Sequence, residues 1–322
     1  MRSFDLLFGW LRKRRPQENV NPGRARTGTQ ELPKAALGHH SACAPTQPMA
    51  PANSSLGPGD GHGRGTRPPA GPPVGVCTDV GLRRALNEDS SLVLDLGGGP
   101  GGPAVYVVAD GMGGYDAGEV ASGLAVQIVA ELAREAIASS VKPGEGDGGE
   151  QARLWLRHWV SEANHAVHEA RQAASSEMGT TLVAALVIGA TATIANVGDS
   201  RCYHVGTHGI RRVTVDHSLV ERLVSAGQIT RAEADGHPQR NVIYRAIGDR
   251  AEVEVDLYEQ LLAAGEALLL CSDGLCGMVP DERIYEIWTS AATPQQACDR
   301  LVTAANEAGG EDNITVVIVP GR

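Results

Sequence analysis

An apolar run that ends on a carboxylate is the first feature of this sequence that suggests chemistry. In AVYVVADGMGG, which spans Ala104 to Gly114, six apolar or aromatic residues lead directly into Asp110 and a glycine turn. A run that is apolar on both faces predicts a strand buried on both sides. Because burying an unpaired carboxylate is costly, something must compensate the charge of Asp110.

More acidic residues are predicted to lie beside Asp110. The glycine-rich segment 97–103 separates two apolar runs, and this pattern predicts a β-hairpin. We expect a register that places Ser90 opposite Asp110, with Glu88 and Asp89 next to it, since cross-strand neighbours lie about 5 Å apart. The hairpin therefore predicts three carboxylates at one end of a sheet.

The same pattern occurs in two further segments. EALLLCSDG ends an apolar strand on Asp273, and EDNITVVIV begins one directly after Asp312. If these strands pair in antiparallel fashion, both acidic residues lie at the same sheet edge. Grouped carboxylates have raised pKa values unless cations bind them, and oxygen ligands favour Mg²⁺ or Mn²⁺. The carbonyl of Gly111 is a further candidate ligand, because glycine allows close approach of the backbone.

The elements that position these residues are read from short runs rich in Val, Ile and Leu and from longer helical patterns. Strands are predicted near 76–81, 91–96, 104–109, 180–188, 191–197, 201–205, 210–215, 252–258, 266–272 and 313–319. Helices are predicted at 117–138, 150–174, 281–290 and 294–308, with a mostly helical insertion at 217–247. Strands follow strands and helices come in pairs, which predicts an α+β fold with antiparallel sheets and helices layered outside.

The first 75 residues differ from the rest in composition. They contain eleven of the 18 prolines and carry ten Lys and Arg against four Asp and Glu. Periodic apolar positions are nearly absent, so we expect 1–75 to be a disordered basic tail and 76–322 to be the folded domain. The remainder carries a net charge of −16, which argues against nucleic acid as a partner.

The chain is expected to be cytoplasmic. No run approaches the roughly 18 apolar residues of a membrane span, so no transmembrane segment is predicted. The basic cluster near the N-terminus follows the apolar residues, whereas a secretory signal has the opposite order. Irregular spacing predicts cysteines that are reduced and mostly buried rather than a disulfide framework or a zinc site. They are Cys43, Cys77, Cys202, Cys271, Cys276 and Cys298.

Six ordered motifs resemble the metal-dependent protein phosphatases of type 2C in their bacterial form. They are TDVGLRRALNEDS, VVADGMGG, MGTTLVAALV, NVGDSR, LLLCSDGL and EDNITVVIV, and together they cover about residues 76–320. The resemblance implies a four-layer αββα sandwich of two antiparallel β-sheets flanked by helix pairs. It also implies hydrolysis of phosphoserine and phosphothreonine in proteins, with two Mn²⁺ or Mg²⁺ ions and a water that bridges them as the nucleophile.

The resemblance assigns roles to matching positions in this sequence. Asp110 matches the carboxylate that bridges the two ions. Asp273 and Asp312 match ligands of the first ion, and Glu88 and the Gly111 carbonyl match ligands of the second. The remaining matches are Asp89 as the residue that orients water, Arg84 as the phosphate-binding arginine, and 217–247 as a mobile flap.

Two positions bear on details of this assignment. Many bacterial members hold a third ion with the residue that matches Asp199 and with an aspartate at the position of Gly277, so a third ion is expected to be weak or absent. Met112 replaces a histidine proposed as general acid in eukaryotic members, and a water is expected to protonate the leaving group instead.

The resemblance also implies phosphorylated protein partners, the substrates of a Ser/Thr kinase. The chain is expected to act as a monomer. Two alternatives remain. Cys77 and Arg83 have the spacing of cysteine-dependent phosphatases, although Asp79 between them would repel phosphate. The chain could instead be a catalytically silent phosphatase-like domain that binds a partner.

Overall fold

The structure is a computed structural model that describes residues 74–99, 101–114, 117–139 and 148–321. The expectation of a disordered tail at 1–75 falls almost entirely outside these residues. Within them, the first strand begins at Gly75.

Eleven strands and seven helices form the described part of the chain. The strands are β1 (Gly75–Asp79), β2 (Asp89–Asp95), β3 (Ala104–Met112), β4 (Gly179–Thr180), β5 (Leu182–Ile188), β6 (Thr191–Val197), β7 (Arg201–Gly206), β8 (Gly209–Arg212), β9 (Asp256–Leu261), β10 (Ala267–Cys271) and β11 (Ile314–Pro320). The helices are α1 (Ala117–Ser139), α2 (Gly148–Ala174), α3 (Leu219–Ser225), α4 (Arg231–Asp235), α5 (Asp273–Cys276), α6 (Asp281–Ser290) and α7 (Pro294–Glu307).

The strands form two sheets in which neighbouring strands run antiparallel. One sheet has the order β1-β11-β10-β7-β8, and the other has the order β2-β3-β5-β6-β9 with β4 beside β3. The predicted α+β architecture is confirmed.

The two sheets and the helices packed outside each of them form four layers, and three apolar cores lie between these layers. Val105 and Val107 of β3 pack with α1 and α2 in an outer core, whereas Tyr106 and Val108 face the other sheet in a central core. A third core joins the first sheet to α6 and α7. Because β3 lies between two cores, successive side chains are buried on opposite faces, which explains why its sequence is apolar throughout.

The register of the first hairpin differs by one residue from the prediction. The Leu96 N–H donates to the Pro103 carbonyl at 3.0 Å, so Pro103 belongs to the paired region rather than to the turn. As a result Asp89, and not Ser90, lies opposite Asp110. A shift of one residue reverses the face to which each side chain points, so this register aligns the two carboxylates.

The segment 217–247 contains less helix than predicted. Only α3 and the single-turn α4 are helical, and Gly227 follows α3 with a φ of 66°. This backbone conformation favours glycine and ends the helix. The Thr230 side chain then caps α4 by accepting from the Glu233 N–H. The prediction of a mostly helical insertion was therefore wrong in extent.

The cysteines and the helices bear on two further expectations. Cys77 is disulfide-bonded, so the expectation that all six cysteines are reduced was wrong. The free cysteines among the described residues are Cys202, Cys271, Cys276 and Cys298. Within the same residues, no helix combines the length and apolar character needed to cross a membrane.

Candidate active site

Asp110 lies near the end of β3, directly across from Asp89 on β2. Its backbone is fixed by Thr181, whose hydroxyl accepts from the Asp110 N–H at 3.0 Å and whose own N–H donates to the Asp110 carbonyl at 2.8 Å. Pairing with β2 and the hydrogen bonds of Thr181, which links β4 to β5, therefore fix the backbone of Asp110 before any ligand is considered.

Asp89 connects the two sheets at the site. The Ser272 hydroxyl, at the end of β10, donates to Asp89 Oδ2 at 2.7 Å and accepts from the Thr315 N–H at 2.9 Å. Asp89 Oδ1 is buried and has no hydrogen-bond partner in the structure. Burial, with the charge of Asp273 adding to it, raises the pKa of Asp89 to about 7.

Asp273 and Asp312 meet because β10 and β11 pair in antiparallel fashion, as predicted. Asp273 is the first residue of α5, and Gly274 packs so tightly on the Asn313 carbonyl that no side chain fits there. Burial raises the pKa of Asp273, and the charge of Asp312 raises it further. Among the described residues, Asp273 Oδ1 is also buried without a hydrogen-bond partner.

Glu88 lies against the start of α1. A Cβ placed on Gly118 would lie 2.5 Å from Glu88 Oε1, so the carboxyl group contacts the backbone of the first helical turn. A Cβ on Gly111 would overlap the carbonyl oxygens of Glu88 and Gly118. Only glycine at both positions allows Glu88 to approach the Gly111 backbone this closely.

Arg84 reaches this group from a loop between β1 and β2. Its Nη2 donates to Asp312 Oδ2 at 2.7 Å, and its side chain is 49% exposed. Burial lowers the pKa of Arg84, but the hydrogen bond and charge of Asp312, followed by the charges of Glu88 and Asp110, raise it overall. The guanidinium therefore lies within the field of the acidic group while half of it faces solvent.

Asp110 experiences the charges of the other predicted aspartates of the site. Burial is the largest cause that raises its pKa, and neighbouring carboxylates add to it. In order of effect they are Asp89, Asp273, Asp199 and Asp312. We call the set of Glu88, Asp89, Asp110, Asp273 and Asp312 the acidic centre. The structure brings together these residues from four distant segments.

The donors of the acidic centre suit a hard divalent cation. Two buried carboxylate oxygens have no partner, and mutual repulsion disfavours the ionised state without a counter-charge. Within the described residues, no group of three His, Cys, Asp or Glu side chains already converges on a single metal position. An ion held by Asp110, Asp273 and Asp312 would therefore have to draw these carboxylates together, with solvent completing its shell.

Asp199 and Gly277 lie at the margin of the acidic centre. Burial, followed by the charges of Asp273 and Asp216, raises the pKa of Asp199 to about 8. Gly277 ends α5, and its N–H donates to the Asp273 carbonyl at 2.6 Å. Gly277 has no carboxylate to share a third ion with Asp199.

Two positioning residues were not predicted. Ser272 holds Asp89, as described above. Asn313 accepts from the Glu88 N–H at 2.8 Å, and its amide donates to the carbonyls of Val80 and Leu86 at 2.9 Å each. Both are almost fully buried and polar. The available signal was their position next to Asp273 and Asp312.

The flap forms an ion pair directly beside the acidic centre. Arg240 donates to Glu311, the neighbour of Asp312, at 3.1 Å. At its start, His217 is buried and its Nδ1 accepts from the Gly198 N–H at 3.0 Å.

The cysteine-dependent alternative finds no support in the structure. Cys77 is 3% exposed within β1 and is disulfide-bonded. A thiolate nucleophile must be free and accessible.

Comparison with known proteins agrees with the geometry. The family model described as Protein phosphatase 2C matches residues 83–303. The Listeria monocytogenes serine/threonine phosphatase stp is 40% identical over 244 residues, covering 75% of this chain and 93% of its own.

Solved structures show the same relationship. The S. agalactiae serine/threonine phosphatase has a TM-score of 0.70 and 35% identity, covering 78% of this chain and 99% of its own. The catalytic domain of the serine threonine protein phosphatase PstP, in complex with two manganese ions, has a TM-score of 0.64 and 34% identity over 76% of this chain and 96% of its own. This chain therefore belongs to the protein phosphatase 2C family.

Proposed function

We propose that this chain hydrolyses phosphoserine and phosphothreonine in proteins, with Mn²⁺ or Mg²⁺ bound at the acidic centre. The observation that carries the proposal is the convergence of five acidic residues, two of them with a buried, unpartnered oxygen. Family membership supports the activity, and the manganese complex of PstP supports the choice of metal.

The residues divide into two ligand groups around Asp110. Asp273 and Asp312 would hold one ion, Glu88 and the Gly111 carbonyl would hold a second, and Asp110 would be shared. When bound, such a pair of cations lowers the pKa of a shared water and neutralises charge that develops on the phosphoryl group. Position 277 supplies no carboxylate as a second ligand for an ion at Asp199, so we propose two principal ions and at most a weak third.

Arg84 and Asp89 have separate tasks in this proposal. The planar guanidinium of Arg84 keeps free N–H groups beside its bond to Asp312, and these can bind two phosphoryl oxygens in a way that lysine cannot. Asp89, held by Ser272, orients the attacking water and accepts its proton. Water displaces the serine or threonine oxygen in line, with no phosphoenzyme, and a second water protonates the leaving oxygen.

The proposal predicts activity that depends on a divalent cation. Purified full-length protein should hydrolyse p-nitrophenyl phosphate and a phosphothreonine peptide with Mn²⁺, lose both activities in excess EDTA, and keep them after thiol alkylation. Turnover that persists in EDTA would contradict the metal mechanism. Absence of turnover with Mn²⁺ would instead favour a catalytically silent domain that binds a partner. No feature of the described residues supports that alternative.

The cellular context is proposed from the same reasoning. We propose that the enzyme acts as a cytoplasmic monomer on substrates of a Ser/Thr kinase. Phosphoproteomes of a deletion strain and its parent, together with cell fractionation, test this: phosphosites should accumulate in the deletion strain, and the protein should be recovered in the cytosolic fraction.

A further inference from the structure

A short loop beside the acidic centre presents apolar side chains to solvent. Leu82 is 66% exposed and Leu86 is 47% exposed, and Arg84 lies midway between them. Single exposed leucines are ordinary, but two within five residues at the edge of an active site form a candidate contact surface. We call residues 82–86 the substrate lip.

Hydrogen bonds fix the backbone at both ends of the substrate lip, so its leucines are exposed in an ordered loop. The Leu82 N–H donates to the Gly310 carbonyl at 2.7 Å, and the Asn313 amide donates to the Leu86 carbonyl at 2.9 Å. A Cβ on Gly310 would lie 2.8 Å from Leu82 Cγ, so the Leu82 side chain lies over the turn that leads to Asp312.

The lip contains two charged residues, and of these Arg83 has no partner among the described residues. Its neighbours at the site are paired, Arg84 with Asp312 and Arg240 with Glu311. Arg83 is exposed and forms no ion pair or side-chain hydrogen bond with any described residue. An unpaired arginine in a strongly acidic domain is complementary to an acidic side chain that arrives from outside.

We propose that the substrate lip selects among phosphoproteins by the residues that flank the phosphorylated side chain. Arg83 binds an acidic side chain, and Leu82 and Leu86 contact an apolar one. The inference rests on the proposed function, since Arg84 must hold the phosphoryl group next to the lip. An extended peptide advances about 3.3 Å per residue, so residues one to three positions from the phosphothreonine reach the lip.

Charge reversal at Arg83 tests the acidic contact. Two phosphothreonine peptides are compared, one with glutamates and one with lysines within three residues of the phosphothreonine, and p-nitrophenyl phosphate serves as a substrate without flanks. We expect Arg83→Glu to lower kcat/KM for the acidic peptide about tenfold, and Arg83→Ala to lower it about threefold. The ratio of kcat/KM for the acidic peptide to kcat/KM for the basic peptide should fall or invert. This change should be smaller at high salt.

The control is Arg157→Glu, which reverses another exposed, unpaired arginine on α2. It should leave the peptide ratio unchanged. The proposal is overturned if Arg83→Glu leaves the ratio within twofold of the parent, or if it abolishes p-nitrophenyl phosphate turnover together with peptide turnover. Failure of the proposed function is distinct, because the parent enzyme itself would then show no Mn²⁺-dependent turnover of p-nitrophenyl phosphate.

The apolar contact is tested separately with the double variant Leu82→Ser and Leu86→Ser. Peptides with leucine or valine beside the phosphothreonine should show a KM raised about fivefold or more, whereas peptides with glycine there should not. Leu261→Ser, at a comparably exposed position on β9, is the control. Equal effects on both peptide classes would contradict the assignment of Leu82 and Leu86 to substrate contact.

Discussion

Buried carboxyl groups have opposite pKa shifts in the flap and in the acidic centre. In the flap, Glu221 accepts hydrogen bonds from both terminal nitrogens of Arg231, at 2.6 and 2.8 Å, and from Arg212 at 2.8 Å. The hydrogen bond from Arg231 is the largest cause that lowers the pKa of Glu221 to about 2. In the acidic centre, burial and neighbouring carboxylates raise the pKa of Asp89 to about 7.

The difference distinguishes a carboxylate that stabilises the fold from carboxylates that are available to bind a ligand. Glu221 of the flap is balanced by Arg231 and by Arg212 of β8, so it needs no external cation. Among the described residues, one arginine, Arg84, forms an ion pair with the five acidic residues of the centre, and its side chain remains half exposed. The imbalance is stable only when hard cations or protons occupy the centre.

The largest expected effect comes from removing the shared carboxylate. Asp110→Asn should lower Mn²⁺-dependent turnover by about 10³-fold or more, since both ions lose a ligand. In EDTA its melting temperature should equal or exceed that of the parent, because one repelling charge is gone. Steady-state kinetics and thermal denaturation measure the two effects.

The control for Asp110→Asn is Glu307→Gln, which neutralises an exposed carboxylate on α7. It should change neither quantity. A marked loss of stability in Asp110→Asn would mean that Asp110 serves the fold rather than the ions, and the contrast between the two regions would fail.

The matching change in the flap should reduce stability rather than abolish chemistry. Glu221→Gln leaves Arg212 and Arg231 without their shared partner, and we expect the free energy of unfolding to fall by about 2 kcal/mol. Urea denaturation measures this change. Activity at saturating substrate should stay within about fivefold of the parent, and a larger loss would place Glu221 in the catalytic machinery.

The two regions should also respond oppositely to pH in the absence of metal. Asp89 and Asp199 have raised pKa values, about 7 and about 8, so the folded state binds protons more tightly than the unfolded state. Between pH 5 and pH 8 the unfolded chain has already lost these protons while the folded state still holds them, so stability falls as pH rises, by roughly 3 kcal/mol or more in total. The Glu221 contribution is fully present in this range and is lost only as pH falls toward 2.

Denaturation in EDTA at pH 5 and pH 8 measures this dependence. We expect lower stability at pH 8 and recovery on addition of Mn²⁺. Stability that rises across this interval in EDTA would contradict the account of the acidic centre.

The smallest expected effect concerns a positioning residue. Ser272→Ala removes the donor to Asp89 Oδ2, a hydrogen bond that lowers the pKa of Asp89. We expect kcat to fall about three- to tenfold and the acidic limb of the pH–rate profile to move to higher pH. A fall in kcat with an unchanged profile would indicate a merely structural role for Ser272.

Local patterns in the sequence predicted much of the fold and the acidic residues. The apolar strands that end at Asp110 and Asp273 are local features, and antiparallel pairing then places their ends together. The edge strand β9 was predicted at 252–258 but lies at Asp256–Leu261. Its partly exposed residues do not mark its bounds clearly.

Features that depend on distant partners could not be predicted. Ser272 and Asp89 are 183 positions apart, and Asn313 and Leu86 are 227 apart. Such contacts follow from how the sheets pack, which no local pattern reports. The hairpin register depends on whether Pro103 belongs to the paired strands or to the turn. This difference of one residue decides which side chain lies opposite Asp110.

Direct measurement of metal binding tests the central claim most simply. The full-length protein is dialysed to equilibrium against Mn²⁺ at about pH 7.5, where carboxylates that bind a metal ion are ionised. The protein should show saturable binding of about two ions per chain. Asp110→Asn should lose most of this binding, and Glu307→Gln should retain it. A parent protein that binds no Mn²⁺ in large excess, or an Asp110→Asn variant that binds it as well as the parent, would contradict the account.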